Sequence, residues 1–200
     1  MTQHTTIFFD LDDTLYPPTS GVWQAIGERI NLFIMRNLGG GPQEALLLRD
    51  RLWRTYGTTL RGLQELYHID SAEYLAYVHD VPLTHYIRPD PRLRSLLTRI
   101  PQRKIIFTNA DSAHARRVLN VLGVADCFDQ IIDVVSIAPY CKPMPQAMQT
   151  ALSLAGECPE NCILVEDMPH NLAPASRLGL YTILVVREDG TECAPGEPGE

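Results

Sequence analysis

Two carboxylates stand two positions apart near the start of the chain, directly after a short apolar run. The apolar residues 7–9 lead into Asp10 and Asp12. Such a run, ending in a turn, is typical of a buried parallel strand, and alternate residues of an extended chain point to the same side. We therefore expect both carboxylates to project from the carboxyl end of that strand, where open α/β sheets place their ligand sites.

Polar side chains also follow later apolar runs of the sequence. They are Thr108 and Asn109 after the run 104–107, Lys142 in a proline-flanked loop, and Glu166 and Asp167 after the run 162–165. Each residue alone is equally compatible with a turn, a helix cap or a solvated surface. The carboxyl ends of parallel strands lie along one edge of a sheet, however, so we expect all of these groups to face one cavity.

The residue types at these strand ends suit the transfer of a phosphoryl group. Two clusters of carboxylates suit a hard cation such as Mg²⁺, which takes oxygen ligands. A lysine, a hydroxyl and an amide suit the phosphoryl oxygens. In such a site Asp10 would act as the nucleophile and form an aspartyl-phosphate. Asp12 would protonate the leaving oxygen and later deprotonate the attacking water.

The elements that must position these groups follow from the hydrophobic pattern. Five apolar runs that alternate with helical patterns predict an α/β fold with a doubly wound, Rossmann-like, five-stranded parallel sheet. Residues 1–16 and 87–186 would form this core. Residues 17–86 carry only helical patterns, so we expect an inserted all-helical cap over the carboxyl edge of the sheet. Residues 187–200 are rich in Gly, Pro and Glu and are expected to form a flexible tail.

The bulk composition narrows the class of partner. The 200 residues carry a formal net charge of −7 with a pI near 5.3, which argues against a nucleic-acid polymer, since that partner needs a basic surface. No apolar run approaches the ~18 residues of a membrane span, and the start lacks the pattern of a secretory leader. The five scattered cysteines are typical of a reduced protein. We expect a cytoplasmic protein that binds a small phosphorylated metabolite and no membrane, with its oligomeric state left open.

The polar groups, taken in order, resemble the signature motifs of the haloacid dehalogenase superfamily. The matching residues, from the first motif to the last, are 10–15, Thr108, Lys142 with Pro143, and Glu166 with Asp167. The helical insertion at 17–86 resembles the C1-type cap of that superfamily. Its dehalogenases lack an acid at the position of Asp12, whereas its phosphatases have one. The resemblance therefore implies a Mg²⁺-dependent phosphomonoesterase.

The same resemblance implies a role for each matching residue. The metal ligands would be the carboxylates of Asp10 and Asp167, the backbone carbonyl of Asp12, and Glu166 either directly or through water. The phosphoryl group would be held by Thr108, Asn109 and Lys142. Related sequences often have two aspartates in the last motif, and Glu166 departs from that pattern. The longer side chain still permits metal binding but leaves open whether that binding is direct.

A narrower resemblance concerns the substrate. Residues 9–17, 56–63 and 103–110 resemble the pyrimidine 5′-nucleotidase branch, which implies a pyrimidine nucleoside 5′-monophosphate as the substrate. Only the second stretch lies in the helical insertion, where specificity resides, so it carries most of the weight. Within it, Tyr56 could stack on a base and Arg61 could hydrogen-bond the carbonyls of that base. Tyr56 also continues the apolar stripe of its helix, which favours core packing for its ring.

Two alternative functions remain open at this point. A phosphomutase of the β-phosphoglucomutase type would use the same Asp10 and Asp12 but return the phosphoryl group to a sugar. A non-enzymatic signalling domain of the phospho-receiver type also combines acids, a threonine and a lysine on a doubly wound sheet. The phospho-accepting aspartate of a receiver ends the third strand, however. Here the third strand is predicted over residues 130–135, with Asp133 in its interior.

Overall fold

Five parallel strands form one sheet in the computed structural model, which describes residues 4–186 of the chain. The strands are β1 (Thr6–Phe9), β2 (Arg103–Phe107), β3 (Gln130–Ile132), β4 (Cys162–Glu166) and β5 (Tyr181–Leu184). Their order is β3-β2-β1-β4-β5, and every neighbouring pair is parallel. The predicted α/β fold with a five-stranded parallel sheet is confirmed. The predicted tail at 187–200 lies outside the described residues.

Eight α-helices accompany the sheet within residues 4–186. Those between β1 and β2 are α1 (Val22–Leu38), α2 (Pro42–Tyr56), α3 (Thr59–Tyr67), α4 (Ser71–Val78) and α5 (Pro91–Arg99). Those after β2 are α6 (Ser112–Leu122), α7 (Pro145–Ala155) and α8 (Pro169–Arg177). Short 3₁₀ helices cover Pro18–Ser20, Leu83–His85, Ala125–Cys127 and Pro159–Asn161. No helix of this described range is long and apolar enough to cross a membrane. The division of the chain into a core and a cap stays a prediction.

The first strand is enclosed on both faces of the sheet. All four residues of β1 are buried. Ile7 and Phe9 pack into one cluster of buried apolar residues, whereas Phe8 packs into the cluster on the other side. Cover on both faces explains why the run is apolar at successive positions. Burying a side chain such as Phe8 contributes about 1.5–3 kcal/mol to the stability of the fold. The buried strand therefore fixes the position of Asp10, which follows it.

The strand order reverses between β1 and β4. The chain places β2 and β3 on one side of β1 and then returns to place β4 and β5 on the other. Open α/β sheets bind their ligands in the crevice at such a reversal, at the carboxyl ends of the strands. Asp10 follows β1 and Glu166 ends β4, so both face this crevice. The order also differs from the order 2-1-3-4-5 of receiver domains, which argues against the signalling alternative.

The third strand is shorter than the sequence predicts. β3 ends at Ile132, so Asp133 follows the strand, and the prediction that it lies inside the strand is wrong. The Asp133 N–H donates to the Ser136 hydroxyl (3.0 Å), and its carboxylate accepts hydrogen bonds from the N–H and the hydroxyl of Ser112 (2.8 and 2.7 Å). The Asp133 N–H thus bonds within its own loop and not to a neighbouring strand. They tie the end of β3 to the start of α6.

The helical segment α1–α4 is joined to the sheet by packing and by hydrogen bonds. Its buried apolar residues belong to the same cluster as one face of β1. Within the segment, the rings of Phe33 and Tyr74 meet edge to face at 5.1 Å between centroids and join α1 to α4. Arg117 of α6 donates hydrogen bonds to the carbonyls of His79 (2.8 Å) and Val81. The end of the segment is therefore held against the helix that follows β2.

Candidate active site

The turn after β1 carries the two carboxylates nearest to the start of the chain. Asp10 continues the strand pairing, because its N–H donates to the Val165 carbonyl of β4 (2.9 Å). The chain then turns through Asp13, which has a φ of 61°. Aspartate is one of the few residues that adopt this left-handed conformation readily. Asp10 therefore lies at the strand end, and Asp12 lies within the turn.

Three of the predicted acids form a buried cluster between β1 and β4. Asp10, Glu166 and Asp167 are each at most 7% exposed, and each offers a carboxylate oxygen within 4.8 Å of the others. The Thr14 hydroxyl lies 3.1 Å from Asp10 Oδ2 and 3.0 Å from Asp167 Oδ1. A hydroxyl has one proton, so it donates to one of these two carboxylates at a time. The structure thus brings the first and the last acidic motifs together.

Lys142 provides the positive charge within this cluster. Its Nζ donates to Asp10 Oδ1 (2.5 Å) and to Glu166 Oε2 (2.6 Å). The loop that carries it is held by Asn109, whose side-chain oxygen accepts from the Lys142 N–H (2.8 Å) and whose amide nitrogen donates to the Lys142 carbonyl (3.0 Å). In this structure the Asn109 amide positions the lysine. Its predicted contact with a phosphoryl group stays a prediction.

Burial governs the ionisation of the cluster. Burial, reinforced by the charge of Glu166, raises the pKa of Asp10 from 3.8 to about 7. It also raises the pKa of Glu166 and of Asp167 above their usual values. Burial opposes the charge of Lys142, but the carboxylates beside it outweigh burial and raise the pKa of the ammonium group. The cluster therefore contains three carboxyl groups and one ammonium group, so Lys142 can neutralise the charge of only one of them.

The donor set of this cluster fits a hard divalent cation. Mg²⁺ prefers oxygen ligands, and the three carboxylates present such oxygens at close range. When all three are ionised, the single charge of Lys142 leaves two negative charges in a buried place. A divalent cation would balance these charges. The residues present thus satisfy both the chemistry and the charge that such a cation requires.

The Asp12 carboxylate has hydrogen-bond partners different from those of Asp10, Glu166 and Asp167. Its Oδ1 accepts a hydrogen bond from the Tyr16 hydroxyl (2.5 Å) and lies 2.8 Å from His114 Nε2. Burial alone would raise the pKa of Asp12, but His114 and Tyr16 outweigh burial and lower it to about 2. An ionised carboxylate only accepts hydrogen bonds, so His114 Nε2 carries the proton between them. Two carboxyl groups of one turn therefore have pKa values on opposite sides of the usual value.

His114 is a site residue that the sequence reasoning missed. It stands 102 residues from Asp12, and no spacing pattern links the two. The side chain is 1% exposed and lies in the first turn of α6, whose N-cap is Asp111. One signal could have found it. Because α6 begins just after Thr108 and Asn109, its first turn lies at the same sheet edge as the predicted site residues.

Thr108 lies directly after β2, where the sequence predicts it. It is 2% exposed, and its N–H donates to the Ile132 carbonyl of β3 (3.0 Å). Its hydroxyl oxygen accepts a hydrogen bond from the Ala110 N–H (3.0 Å). This bond fixes the hydroxyl as an acceptor, and a hydroxyl can donate at the same time. The proton of Thr108 is thus suited to an anionic ligand.

The helical segment touches the loop of Lys142 through the stretch that follows α2. Gly57 has a φ of 84°, and a Cβ at this position would lie 3.1 Å from Cys141 Sγ and 3.2 Å from the Lys142 carbonyl. Both the backbone conformation and the close approach therefore require glycine. The Tyr56 carbonyl accepts a hydrogen bond from Cys141 Sγ (3.4 Å). The predicted specificity stretch thus lies against the loop that carries the buried lysine.

Arg61 of α3 binds backbone carbonyls of the segment between β3 and α7. Its guanidinium donates to the carbonyls of Val134 (2.7 Å) and Tyr140 (2.9 Å) and to the side-chain oxygen of Gln64 (2.7 Å). These bonds fasten the helical segment to the loop that precedes Lys142. The guanidinium is therefore committed to protein carbonyls in this structure. Its predicted contact with the carbonyls of a base stays a prediction.

A cavity of about 360 Å³ opens beside this stretch. The residues that line it include Trp53, Tyr56, Pro143, Met144 and His170. The rings of Trp53 and His170 meet edge to face at 5.7 Å between centroids. Trp53 is half-buried here. Because Pro143 directly follows Lys142, the cavity adjoins the loop that carries the buried charge.

Comparison with known proteins gives one family and several relatives. The model of the haloacid dehalogenase-like hydrolases matches residues 4–179. Phosphate metabolism protein 8 of Saccharomyces cerevisiae is 30% identical over 197 residues, covering 91% of this chain and 61% of the relative. A phosphoglycolate phosphatase of Neisseria gonorrhoeae is 28% identical over 122 residues, covering 60% of this chain and 51% of the relative. The chain thus spans between half and two thirds of the lengths of these relatives.

A solved structure shares the fold at lower identity. CbbY from Rhodobacter sphaeroides, in complex with phosphate, superposes with a TM-score of 0.63 and 21% sequence identity. The match covers 91% of this chain and 86% of that one. At this identity the likeness establishes the architecture alone. It agrees with the parallel sheet and its accompanying helices described above.

Proposed function

The chain belongs to the haloacid dehalogenase-like hydrolase family, and from this premise we propose that it is a Mg²⁺-dependent phosphomonoesterase. The observation that carries the proposal is the buried cluster of Asp10, Lys142 and Asp167, with a second acid, Asp12, two residues beyond the first. The names of the two relatives, a phosphate metabolism protein and a phosphoglycolate phosphatase, support the same class of substrate. The substrate would be a small phosphorylated metabolite.

Asp10 and Asp12 divide the chemistry in this proposal. A carboxylate oxygen of Asp10 bonds to phosphorus while the bond from phosphorus to the ester oxygen breaks, which gives an aspartyl-phosphate. Asp12 donates a proton to the departing ester oxygen, which requires that the bound phosphoryl anion first raise the pKa of Asp12 from about 2 so that it takes up a proton. In the second step Asp12 takes a proton from the water that attacks phosphorus. Inorganic phosphate then leaves, and the Asp10 carboxylate is restored.

The phosphoryl group would be held by Thr108, Asn109 and Lys142. Lys142 Nζ lies 2.5 Å from Asp10 Oδ1, so a phosphoryl group within reach of the nucleophile is also within reach of the ammonium group. The Thr108 hydroxyl provides a neutral donor from the neighbouring strand. Asn109 contributes through its two bonds to the backbone of Lys142, which keep the lysine in place.

Magnesium would be held by the carboxylates of Asp10 and Asp167 and by the backbone carbonyl of Asp12. When bound, it supplies positive charge that reduces the repulsion between the nucleophile and the phosphoryl oxygens. Glu166 bonds Lys142 through Oε2 and the Met168 N–H through Oε1 (3.3 Å). Both of its oxygens are engaged. As with Asp10, whose two oxygens also have hydrogen-bond partners, each oxygen keeps a further acceptor site, so Glu166 would reach the metal either directly or through water.

For the substrate we propose a pyrimidine nucleoside 5′-monophosphate. The stretch 56–63 supports this choice through its resemblance to the nucleotidase branch and through its position against the loop of Lys142. The adjoining cavity of about 360 Å³ has room for a base, and the aromatic residues Trp53 and Tyr56 are among those that line it. Arg61 would have to exchange its protein carbonyls for those of the base.

A phosphate-release assay on a panel of monoesters tests this function. The panel contains uridine, cytidine and adenosine 5′-monophosphates, phosphoglycolate and a hexose phosphate, each with Mg²⁺ or with EDTA. We expect Mg²⁺-dependent release that Asp10→Asn abolishes. Failure to hydrolyse any monoester refutes the phosphatase. Turnover of the panel with poor activity on the pyrimidine nucleotides refutes only the substrate, and isomerisation of the hexose phosphate without phosphate release favours the phosphomutase.

A further inference from the structure

The ring of His114 is held from several directions where it meets Asp12. Its Nε2 lies 2.8 Å from Asp12 Oδ1. The backbone N–H of His114 donates to Asp111 Oδ1 (2.7 Å), which fixes the first turn of α6. The ring of His79 stacks on the His114 ring with 4.3 Å between centroids and 24° between planes, and Arg117 holds the His79 carbonyl. The direction of Nε2 is therefore set by the surrounding protein.

The two donors to Asp12, the Tyr16 hydroxyl and His114 Nε2, belong to different parts of the fold. Tyr16 lies four residues further along the same turn, so its hydroxyl moves with that turn. His114 belongs to α6, which follows β2 in the chain, and its Nε2 contacts the Asp12 carboxylate. Both bonds are made to Oδ1, which leaves Oδ2 of Asp12 to exchange protons. The bond from His114 thus fixes the turn and its carboxylate to the rest of the site.

Core packing alone does not account for an imidazole at this position. The side chain is buried, and its Nδ1 has no hydrogen-bond partner among residues 4–186. Burying a polar atom without a partner is unfavourable, and an apolar side chain of similar size would fill the space without that cost. The feature that only a ring nitrogen supplies here is the bond to Asp12.

We propose that His114 is a positioning residue whose Nε2–H holds the Asp12 carboxyl in the orientation used for proton transfer. The inference rests on the proposed phosphatase function, in which Asp12 protonates the leaving oxygen. It predicts a specific pattern of rate loss. An alkyl ester oxygen needs a proton in order to leave, whereas p-nitrophenolate leaves readily without one. Losing the bond to His114 should therefore slow alkyl phosphates far more than p-nitrophenyl phosphate.

Two amide variants separate this bond from the packing of the ring. The amide nitrogen of glutamine reaches about as far as Nε2, so His114→Gln can keep the bond to Asp12. The shorter asparagine ends near the position of Nδ1, so His114→Asn buries the same amide group without reaching the carboxylate. We expect His114→Asn to lower kcat/KM about 10- to 100-fold for an alkyl phosphate and less than about threefold for p-nitrophenyl phosphate. His114→Gln should restore most of the alkyl rate.

The outcomes separate this inference from the proposed function. If the wild-type protein hydrolyses both esters and the asparagine variant slows them equally, His114 is only a structural residue and the inference is overturned. The alkyl phosphate is the monoester of the panel that the wild type hydrolyses fastest, and if the wild type hydrolyses no monoester of the panel, the proposed function itself fails. A second measurement needs no change at His114: its Nε2 proton should appear at low field in the proton NMR spectrum and move upfield in Asp12→Asn. An unchanged resonance also overturns the inference.

Discussion

Replacing Asp10 by asparagine should abolish activity and yet make the protein more stable. Burial raises the pKa of Asp10 from 3.8 to about 7 in the folded protein. At about 1.4 kcal/mol per pKa unit, ionising this carboxyl lowers the free energy of unfolding by about 4 kcal/mol above pH 7. Asparagine has nearly the shape of the neutral carboxyl group. Asp10→Asn should therefore raise the free energy of unfolding by about 4 kcal/mol at pH 8.

The sign of the effect and its pH window follow from linkage. The folded protein binds the Asp10 proton more tightly than the unfolded chain, so the free energy of unfolding falls as the pH rises from about 4 to about 7. The advantage of asparagine should thus be about 2 kcal/mol at pH 5 and about 4 kcal/mol at pH 8. For a chain of this size, the larger value corresponds to a Tm increase of roughly 8–16 °C.

Asp12→Asn is the matched control, because it makes the same chemical change two residues away. His114 and Tyr16 lower the pKa of Asp12 to about 2, so its ionised form stabilises the folded protein. That stability is present above about pH 4 and is lost as the pH falls through 2. Asp12→Asn should therefore lower the free energy of unfolding by about 2 kcal/mol at pH 8. The two variants should shift stability in opposite directions.

Urea unfolding in EDTA at pH 5 and pH 8, followed by tryptophan fluorescence and circular dichroism, measures these differences. Adding Mg²⁺ should then stabilise the wild type and narrow the gap to Asp10→Asn, because the variant lacks a ligand. At a Mg²⁺ concentration 100 times the Kd, the gain is about 2.7 kcal/mol. The reasoning is refuted if Asp10→Asn is no more stable than the wild type at pH 8, or if its advantage does not grow between pH 5 and pH 8.

Two further variants test the buried charge of Lys142 and the close approach of Gly57 to the loop that carries this lysine. Lys142→Met should lower the free energy of unfolding by about 3–5 kcal/mol at pH 8, because it leaves Asp10 and Glu166 without their cation. The loss should be smaller at pH 5, where the acids take up protons, and equal losses in urea unfolding at both pH values would contradict this. Gly57→Ala should cost more stability than Gly156→Ala, since both have positive φ but only Gly57 approaches the Lys142 backbone. Gly156→Ala should cost about 1–2 kcal/mol from backbone strain alone, and an equal cost at Gly57 in thermal unfolding would argue against the tight contact.

The sheet and the acids of its edge could be predicted because their signals are local. The apolar run before Asp10 is a strand signal within a few residues, and so is the run that ends in Glu166 and Asp167. The topology of parallel sheets then brings these distant residues together without further information. The length of β3 could not be predicted in this way. Beyond Ile132 the N–H of Asp133 bonds Ser136, and its carboxylate bonds Ser112, 21 residues away.

The hydrogen-bond partners of polar side chains were harder to predict than the positions of those side chains in the fold. Asn109 and Arg61 carry groups that suit a phosphate or a base, but in the structure they bind carbonyls of the protein. A protein carbonyl and a ligand carbonyl present the same chemistry, so residue type cannot distinguish between them. His114 shows the converse case. An ordinary histidine in a helix becomes a partner of Asp12 only through the packing of α6 at the sheet edge.

The stability of the fold gives an argument for function that needs no comparison with other sequences. Burial disfavours the ionised form of Asp10, so a neutral amide of the same shape, with Glu166 still paired to Lys142, would make a more stable protein. Asp12 belongs to the same turn, yet its neighbours stabilise its ionised form. The surroundings thus favour the protonated form of Asp10 and the ionised form of Asp12. The proposed roles require the reverse, an ionised Asp10 and a protonated Asp12, so they depend on Mg²⁺ lowering the pKa of Asp10 and on the phosphoryl anion raising the pKa of Asp12.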